Sequence, residues 1–272
     1  MMTFGPFTLS LHNHGFLRLD GGSMFGTVPK AIWSRVMAAD EDNRIALATR
    51  SLLIEAGERT ILVDVGTGGH WTAKFRHIYA VEHLSPSEAG LDPERITDLI
   101  ITHLHFDHAG GIRRPDGSPA YPKALIHVQA ANLETAREPN PRERASYPPE
   151  ILKSLERANV HVTNGSEEIM PGVWVHRSDG HTQGLQWVEV RDGGAAVAYP
   201  SDMIPYSHHL ALAYTMGYDI NAGKLLEEKA EFLARAVASD WPVIFEHDPA
   251  VPAARVQKDA AGRYAAGLPI EF

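Results

Sequence analysis

The apolar positions recur first at the two-residue period of half-buried strands. Residues 7–19 ("FTLSLHNHGFLRL") alternate and predict one or two short strands, and residues 51–66 ("SLLIEAGERTILVDVG") predict two buried strands joined by a tight turn at Gly57. Between them, "DGGSMFGTVPKAIW" holds four Gly/Pro breakers around Met24 and Phe25, which reads as a loop with both side chains exposed. A weak helical period covers residues 70–83, and "LDPERI" reads as a helix start with Pro93 in its first turn. A short continuous apolar strand, "ITDLII", then runs straight into "THLHFDHAGG". "KALIHVQ" predicts a strand and "AANLETAR" a short helix; residues 137–159, with four prolines before a helical stretch, read as an insertion or lid. The second half repeats the alternation. "VHVTNG", "GVWVHRS", "LQWVEV" and "AAVAYPSD" are strand-like, with a hairpin turning at Asp192–Gly194. Residues 221–240 form the best amphipathic helix, with Leu225, Leu226, Ala230, Phe232, Leu233 and Val237 at helical spacing. "PVIFEHD" and "ARVQKDAAGRYAAG" close the chain as strands. Two halves of similar content suggest two sheets packed together with helices outside.

Composition narrows the chemistry. With 44% hydrophobic and 22% charged residues over 272 positions, the chain is that of a soluble globular protein with room for a large core. The formal net charge of -9, without a dense basic run, argues against a nucleic-acid partner. The first ten residues lack the basic and long apolar regions of a signal peptide, and no window approaches 18 apolar residues, so no membrane association and a cytoplasmic location are expected. There is no cysteine, which removes disulfides, thiolate metal sites and a cysteine nucleophile. Any metal must sit on imidazoles and carboxylates.

The fifteen histidines are organised. His103 and His105 lie two apart, so on extended backbone both face one side; Asp107 keeps that parity, and His108 breaks it through a turn that Ala109-Gly110-Gly111 can supply. One short loop at a strand's end can thus serve two neighbouring metal positions. His181 in "SDGHTQG", Asp202 in "YPSD" and His247 in "FEHD" each follow a strand-like run or a glycine, at strand ends of their own.

"THLHFDH", "GHTQG", "SD" and "EHD", in that order, resemble the metallo-β-lactamase superfamily of hydrolases over nearly the whole chain. The resemblance implies a single α/β domain spanning residues 1–272, an αββα sandwich of two mixed β-sheets packed face to face with helices outside. It implies two divalent metal ions: His103, His105 and His181 on the first, Asp107, His108 and His247 on the second, Asp202 bridging. Zinc is the expected metal, and iron, manganese or cobalt would suit the same donors. The implied chemistry is attack by a metal-bound hydroxide, with Asp107 or Asp202 orienting the nucleophile or passing its proton to the leaving group. Asp64 is similar to the superfamily's carboxylate that supports the histidine loop.

The segments "LDGGSMFGTVPKAIW", "SDMIPYSHHL", "MGYD" and "FEHDP" resemble the quorum-quenching N-acyl homoserine lactone lactonases, which implies a small-molecule lactone or ester substrate. Met24 and Phe25 would then border an acyl pocket, or serve a homodimer contact. Well-studied members carry a tyrosine three residues after the bridging aspartate; here Pro205 stands there, leaving Tyr206 and His209 as candidates to touch substrate. The alternative is a phosphotriesterase or arylesterase of the methyl parathion hydrolase type, and a third option is a non-catalytic metal-binding protein. A nuclease would want a basic exosite, and a flavin-dependent relative would need a further domain.

Overall fold

The alternating segments pair into two sheets in the computed structural model, which describes residues 1–272. The first sheet contains β1 (Met2–Phe4), β2 (Phe7–Asp20), β3 (Arg44–Ala56), β4 (Arg59–Val63), β5 (Glu82–His83), β6 (Asp98–Ile100), β7 (Leu125–Gln129) and β8 (Asn159–Thr163). Its order is β1-β2-β3-β4-β6-β7-β8, with β5 paired to β2. β1 to β4 are antiparallel, and β4, β6, β7 and β8 run parallel. The second sheet contains β9 (Glu167–Met170), β10 (Val173–Ser178), β11 (Leu185–Asp192), β12 (Ala195–Tyr199), β13 (Pro242–Ile244), β14 (Ala253–Lys258) and β15 (Tyr264–Pro269), in the order β15-β14-β13-β12-β11-β10-β9. β10 and β12 both pair antiparallel to β11, and β13 pairs parallel to β12. The carboxyl ends of β10, β12 and β13 therefore lie along one edge.

The apolar faces meet between the sheets. Leu9, Leu52, Ile54, Ile61, Val63 and Ile100 pack against Val175, Val188, Val190, Val197, Tyr199 and Ile244, all fully buried. Phe7–Asp20 is one strand rather than two, bulged between Asn13 and Phe16, where a Cβ on Gly15 would overlap the carbonyl of Glu82.

The segment expected as an exposed loop contains two short helices, α1 (Gly21–Phe25), capped by Asp20 accepting from the Ser23 amide at 2.8 Å, and α2 (Lys30–Trp33). Met24 and Phe25 are buried at 1% and 0% exposure, because Phe25 stacks on Trp33 at 5.6 Å between ring centroids. Neither is at the surface for a dimer contact. The weak helical period gives α3 (Ala73–Tyr79). The helix expected to start at Leu91–Ile96 does not form: Asp92 turns back on itself and accepts from the Glu94 amide at 3.0 Å. The histidine loop opens α4 (Phe106–Ala109).

Helices cover both outer faces. α5 (Ala130–Arg137) and α6 (Pro149–Leu155) lay Leu133, Ala136, Ile151 and Leu155 over Leu62, Leu99, Ile126 and Val128 of the first sheet. α7 (Ala222–Ala238) lays Leu225, Phe232, Leu233 and Ala236 over Trp187, Trp241 and Phe245 of the second. The αββα sandwich expected from the sequence is the fold. No helix is long and apolar enough to cross a membrane.

α7 also buries Lys229, whose amine donates to the carbonyls of Ala211 (3.0 Å) and Tyr214 (2.7 Å), tying the chain beyond Asp202 to the helix. Burial pulls Lys229 down to about 7 against the opposing pull of Asp219. The unfolded side chain keeps its proton to about 10.4, so between these values the unfolded state binds more protons and stability rises with pH. In thermal melts from pH 7 to 9.5, the wild type should gain stability relative to Lys229→Met by up to about 1 kcal/mol per pH unit. A pH-independent difference would show that the amine stays charged.

Candidate metal centre

The parallel strands deliver their chemistry to one edge. Asp64 follows β4, Thr102 to His108 follow β6, His181 follows β10, Asp202 follows β12 and His247 follows β13. After β6 the backbone stays extended to His105, which caps α4, so Asp107 and His108 enter on its first turn. A Cβ on Gly110 or Gly111 would overlap the carbonyls of Thr67 and Val65; glycine lets the histidine loop lie directly on the chain leaving β4.

Two groups of ligand atoms adjoin at this edge, His103, His105, His181 and Asp202, and Asp107, His108 and His247, with a third, Asp64, His108 and Glu246, on the other side of the His108 ring; each is gathered within 4.8 Å. His105 Nδ1 lies 3.0 Å from His103 Nε2 and 3.3 Å from His181 Nε2, while His247 Nε2 lies 3.2 Å from His108 Nε2. Asp202 faces both groups: Oδ2 is 3.2 Å from His181 Nε2 and 3.5 Å from His108 Nε2, and Oδ1 is 3.0 Å from His247 Nε2. All seven side chains are buried.

The outer ring nitrogens of four of the five histidines are bound elsewhere, His105 Nε2 being buried without a partner. His247 Nδ1 donates to the Ala48 carbonyl at 2.7 Å, His181 Nδ1 to Asp219 at 2.9 Å, and His108 Nδ1 to Asp64 at 3.1 Å, with Glu246 Oε2 at the same distance. His103 Nδ1 lies 3.1 Å from the Thr102 hydroxyl, which donates to Asp64 at 2.7 Å. Each outer partner fixes the tautomer, so the Nε2 lone pairs of these rings converge on the centre. Lone pairs facing each other at 3.0–3.3 Å leave buried acceptors without donors, as is Asp202 Oδ1. A divalent cation satisfies that arrangement, and five imidazoles with two carboxylates suit zinc or a similar borderline ion.

The electrostatics agree. Burial and neighbouring imidazoles hold His103 and His105 well below the ordinary histidine range. Burial also opposes charge on His247, yet Asp202 and Glu246 lift it to about 9; His108 and His181 are raised in the same way by the carboxylates facing them. Asp202 itself is held well below the carboxylate range, its burial outweighed by His247, His108 and His181. The field that retains protons here also favours a metal cation, which would displace them.

A cavity of about 130 Å³ opens onto Asp107, His181, Asp202 and His247. Leu19, Met24, Leu47, Phe106 and Met216 give it apolar walls, and Tyr79, Tyr218, Arg142 and Glu143 give it polar ones. Met24 therefore stands where the sequence suggested, and three other candidates do not. Tyr206 is fully buried and its hydroxyl donates to the Ala46 carbonyl at 3.0 Å. His209, pulled down to about 3 by burial, donates to the Met24 carbonyl at 2.9 Å. Phe25 lies against both rings, at 6.4 Å from Tyr206 and 5.1 Å from His209. These three form the support behind Met24, not the cavity wall. Sequence alone marks the Pro-rich insertion but not Arg142 and Glu143 within it, and it gives Asp219 in "MGYD" and Glu246 in "EHD" no role, because their partners His181 and His108 are distant in sequence.

Residues 44–247 match the family model described as metallo-beta-lactamase superfamily. The chain belongs to that superfamily. An N-acyl homoserine lactonase of Bacillus cereus is 30% identical over 161 residues, which span 53% of this chain and 58% of that protein. Among solved structures, a probable metal-dependent hydrolase from Staphylococcus aureus has 25% identity and a TM-score of 0.88, covering 99% of this chain and all of the other. AidC, a dizinc quorum-quenching lactonase in complex with a product, has 19% identity and a TM-score of 0.81, covering 100% and 97%. At that identity it speaks for the fold alone.

Asp64 orients His108 without facing the centre, so Asp64→Ala should weaken zinc binding by about 10- to 100-fold. Competition against a chromophoric chelator measures this; unchanged affinity would remove Asp64 from the support of the site.

Proposed function

We propose that this chain is a dinuclear metal-dependent hydrolase that opens N-acyl homoserine lactones, with residues 1–272 acting as one domain. The observation that carries the reading is Asp202, whose two oxygens face both histidine groups at the end of a largely apolar cavity. The N-acyl homoserine lactonases among the sequence relatives support the choice of substrate class.

In this reading His103, His105 and His181 hold one ion, Asp107, His108 and His247 the other, and Asp202 is shared. Bound divalent ions would supply Lewis-acid polarisation of the lactone carbonyl and a water-derived nucleophile at neutral pH. Asp107, on the cavity wall, would take the proton released by the attacking water and pass it to the departing ring oxygen. Leu19, Met24, Leu47, Phe106 and Met216 receive the acyl chain and exclude water from it. Tyr206 has no part in the chemistry, since its hydroxyl is engaged with Ala46.

Zinc-loaded protein assayed side by side on homoserine lactones of varied acyl length and on a paraoxon-like phosphotriester should favour the lactones by orders of magnitude. The opposite ranking would transfer the site to phosphotriester or aryl ester hydrolysis, and inactivity on the whole panel would favour a metal-binding role. His105→Ala and Asp202→Ala should abolish turnover and lower bound metal. Tyr206→Phe should cost far less than the about 10²- to 10³-fold in kcat that follows loss of a donor to a developing oxyanion. A loss of that size would return Tyr206 to the reaction.

A further inference from the structure

A second cavity, of about 350 Å³, lies on the outer face of the first sheet between β6, β7, α6 and the loop from Ile112 to Pro122. It shares no residue with the cavity at the metal centre. Its floor is apolar: Leu99, Ile112, Ala124 and Ile126 are each at most 5% exposed. Tyr121 lines it at 4% exposure, and its hydroxyl is buried without a hydrogen-bond partner. Burial holds that phenol neutral, as a donor. An unpartnered buried hydroxyl costs stability unless something supplies an acceptor.

The rim has the opposite character. Arg113, Lys153 and Arg157 stand around the mouth with Glu150 as the single acid. None of these four takes part in any of the molecule's ion pairs. Three cations against one anion is a local excess in a chain of net charge -9. Surface cations are ordinary, but their gathering at the mouth of an apolar cavity that also holds an orphaned donor is not. The volume falls near the lower end of the range for small-molecule sites.

We propose that this cavity binds a small amphipathic carboxylate. The anionic head sits among Arg113, Lys153 and Arg157, the apolar body lies over Leu99 and Ile126, and the Tyr121 hydroxyl donates to an oxygen of the ligand. This is independent of the chemistry at the metal centre.

The test is an NMR titration of protein carrying labelled isoleucine methyls, read at Ile112 and Ile126, with octanoate, octanol and inorganic phosphate as separate probes. Octanoate should shift both methyls saturably and bind at least about tenfold more tightly than octanol, and phosphate should leave both in place. The Lys153→Glu/Arg157→Glu double variant should weaken octanoate by about tenfold or more. Tyr121→Phe should weaken it by about fivefold while leaving the fold intact, since it removes only the orphaned hydroxyl. Equal binding of octanol, saturation by phosphate, unchanged affinity in the charge-reversed protein, or no shift with octanoate would each overturn the proposal.

Discussion

Asp64 leaves the end of β4 in the left-handed region, at φ 57°, with its carboxylate wholly buried. Its Oδ1 accepts from the Thr102 amide at 2.8 Å, and its Oδ2 accepts from the Thr102 hydroxyl at 2.7 Å and from His108 Nδ1 at 3.1 Å. A strained backbone persists only where its surroundings over-determine it, and these three bonds do so. They join neighbouring strand ends, fix where the histidine loop starts, and turn His108 to face Asp202. Ser201, beside Asp202, is also left-handed at φ 51° and reaches the same Thr102 hydroxyl at 2.9 Å. The strain at both sheets' contributions to the centre is thus held by one buried polar knot.

That knot is useful because of the strand directions. β4 and β6 run parallel in one sheet; β10, β12 and β13 point together in the other. Residues just beyond parallel strands meet at a common edge, so seven candidate ligands drawn from four separate stretches converge without long side chains having to span the fold. Between the sheets the packing is mostly apolar, crossed by a few buried hydrogen bonds such as Gln186 of β11 donating to the His127 carbonyl and the Tyr199 hydroxyl to the Arg50 carbonyl, and together these fix the register of both and with it the position of each strand end. Core and site are therefore not separable: displacing a strand by one residue would carry its ligand off the edge.

The strands and the histidine cluster at residues 103–108 are legible because both follow from short-range pattern. Two-residue periodicity marked the strands, and His103, His105, Asp107 and His108 announced themselves by spacing. What was not legible depends on tertiary packing. Met24 and Phe25 sit among glycines that read as an exposed loop, yet both are buried, the Phe25 ring against Trp33, Tyr206 and His209. Tyr206 and His209 carry groups suited to chemistry, and only the structure shows that the Ala46 and Met24 carbonyls already engage them. The expected helix at Pro93 failed because Asp92 offered the backbone a local alternative, a competition that composition does not resolve.

The cavity wall is built differently from the histidine groups it adjoins. Arg142 and Glu143 come from the Pro-rich insertion, and Met216 and Tyr218 from the chain beyond Asp202. The two segments are joined where the Arg142 guanidinium donates to the Gly217 carbonyl. Glu143 accepts from the Thr182 hydroxyl at 3.0 Å, which ties the insertion to the residue after His181. Asp219 makes the reciprocal link from the other segment, accepting from the Met216 amide at 2.6 Å and from His181 at 2.9 Å. Both segments are therefore tied to His181 or its neighbour Thr182, and the insertion also lays Tyr147 on His105, with ring centroids 4.6 Å apart. Arg142, Glu143, Met216 and Tyr218 lie outside the strands, so changes around them can reshape the cavity while Asp64 keeps its hold on Thr102 and His108.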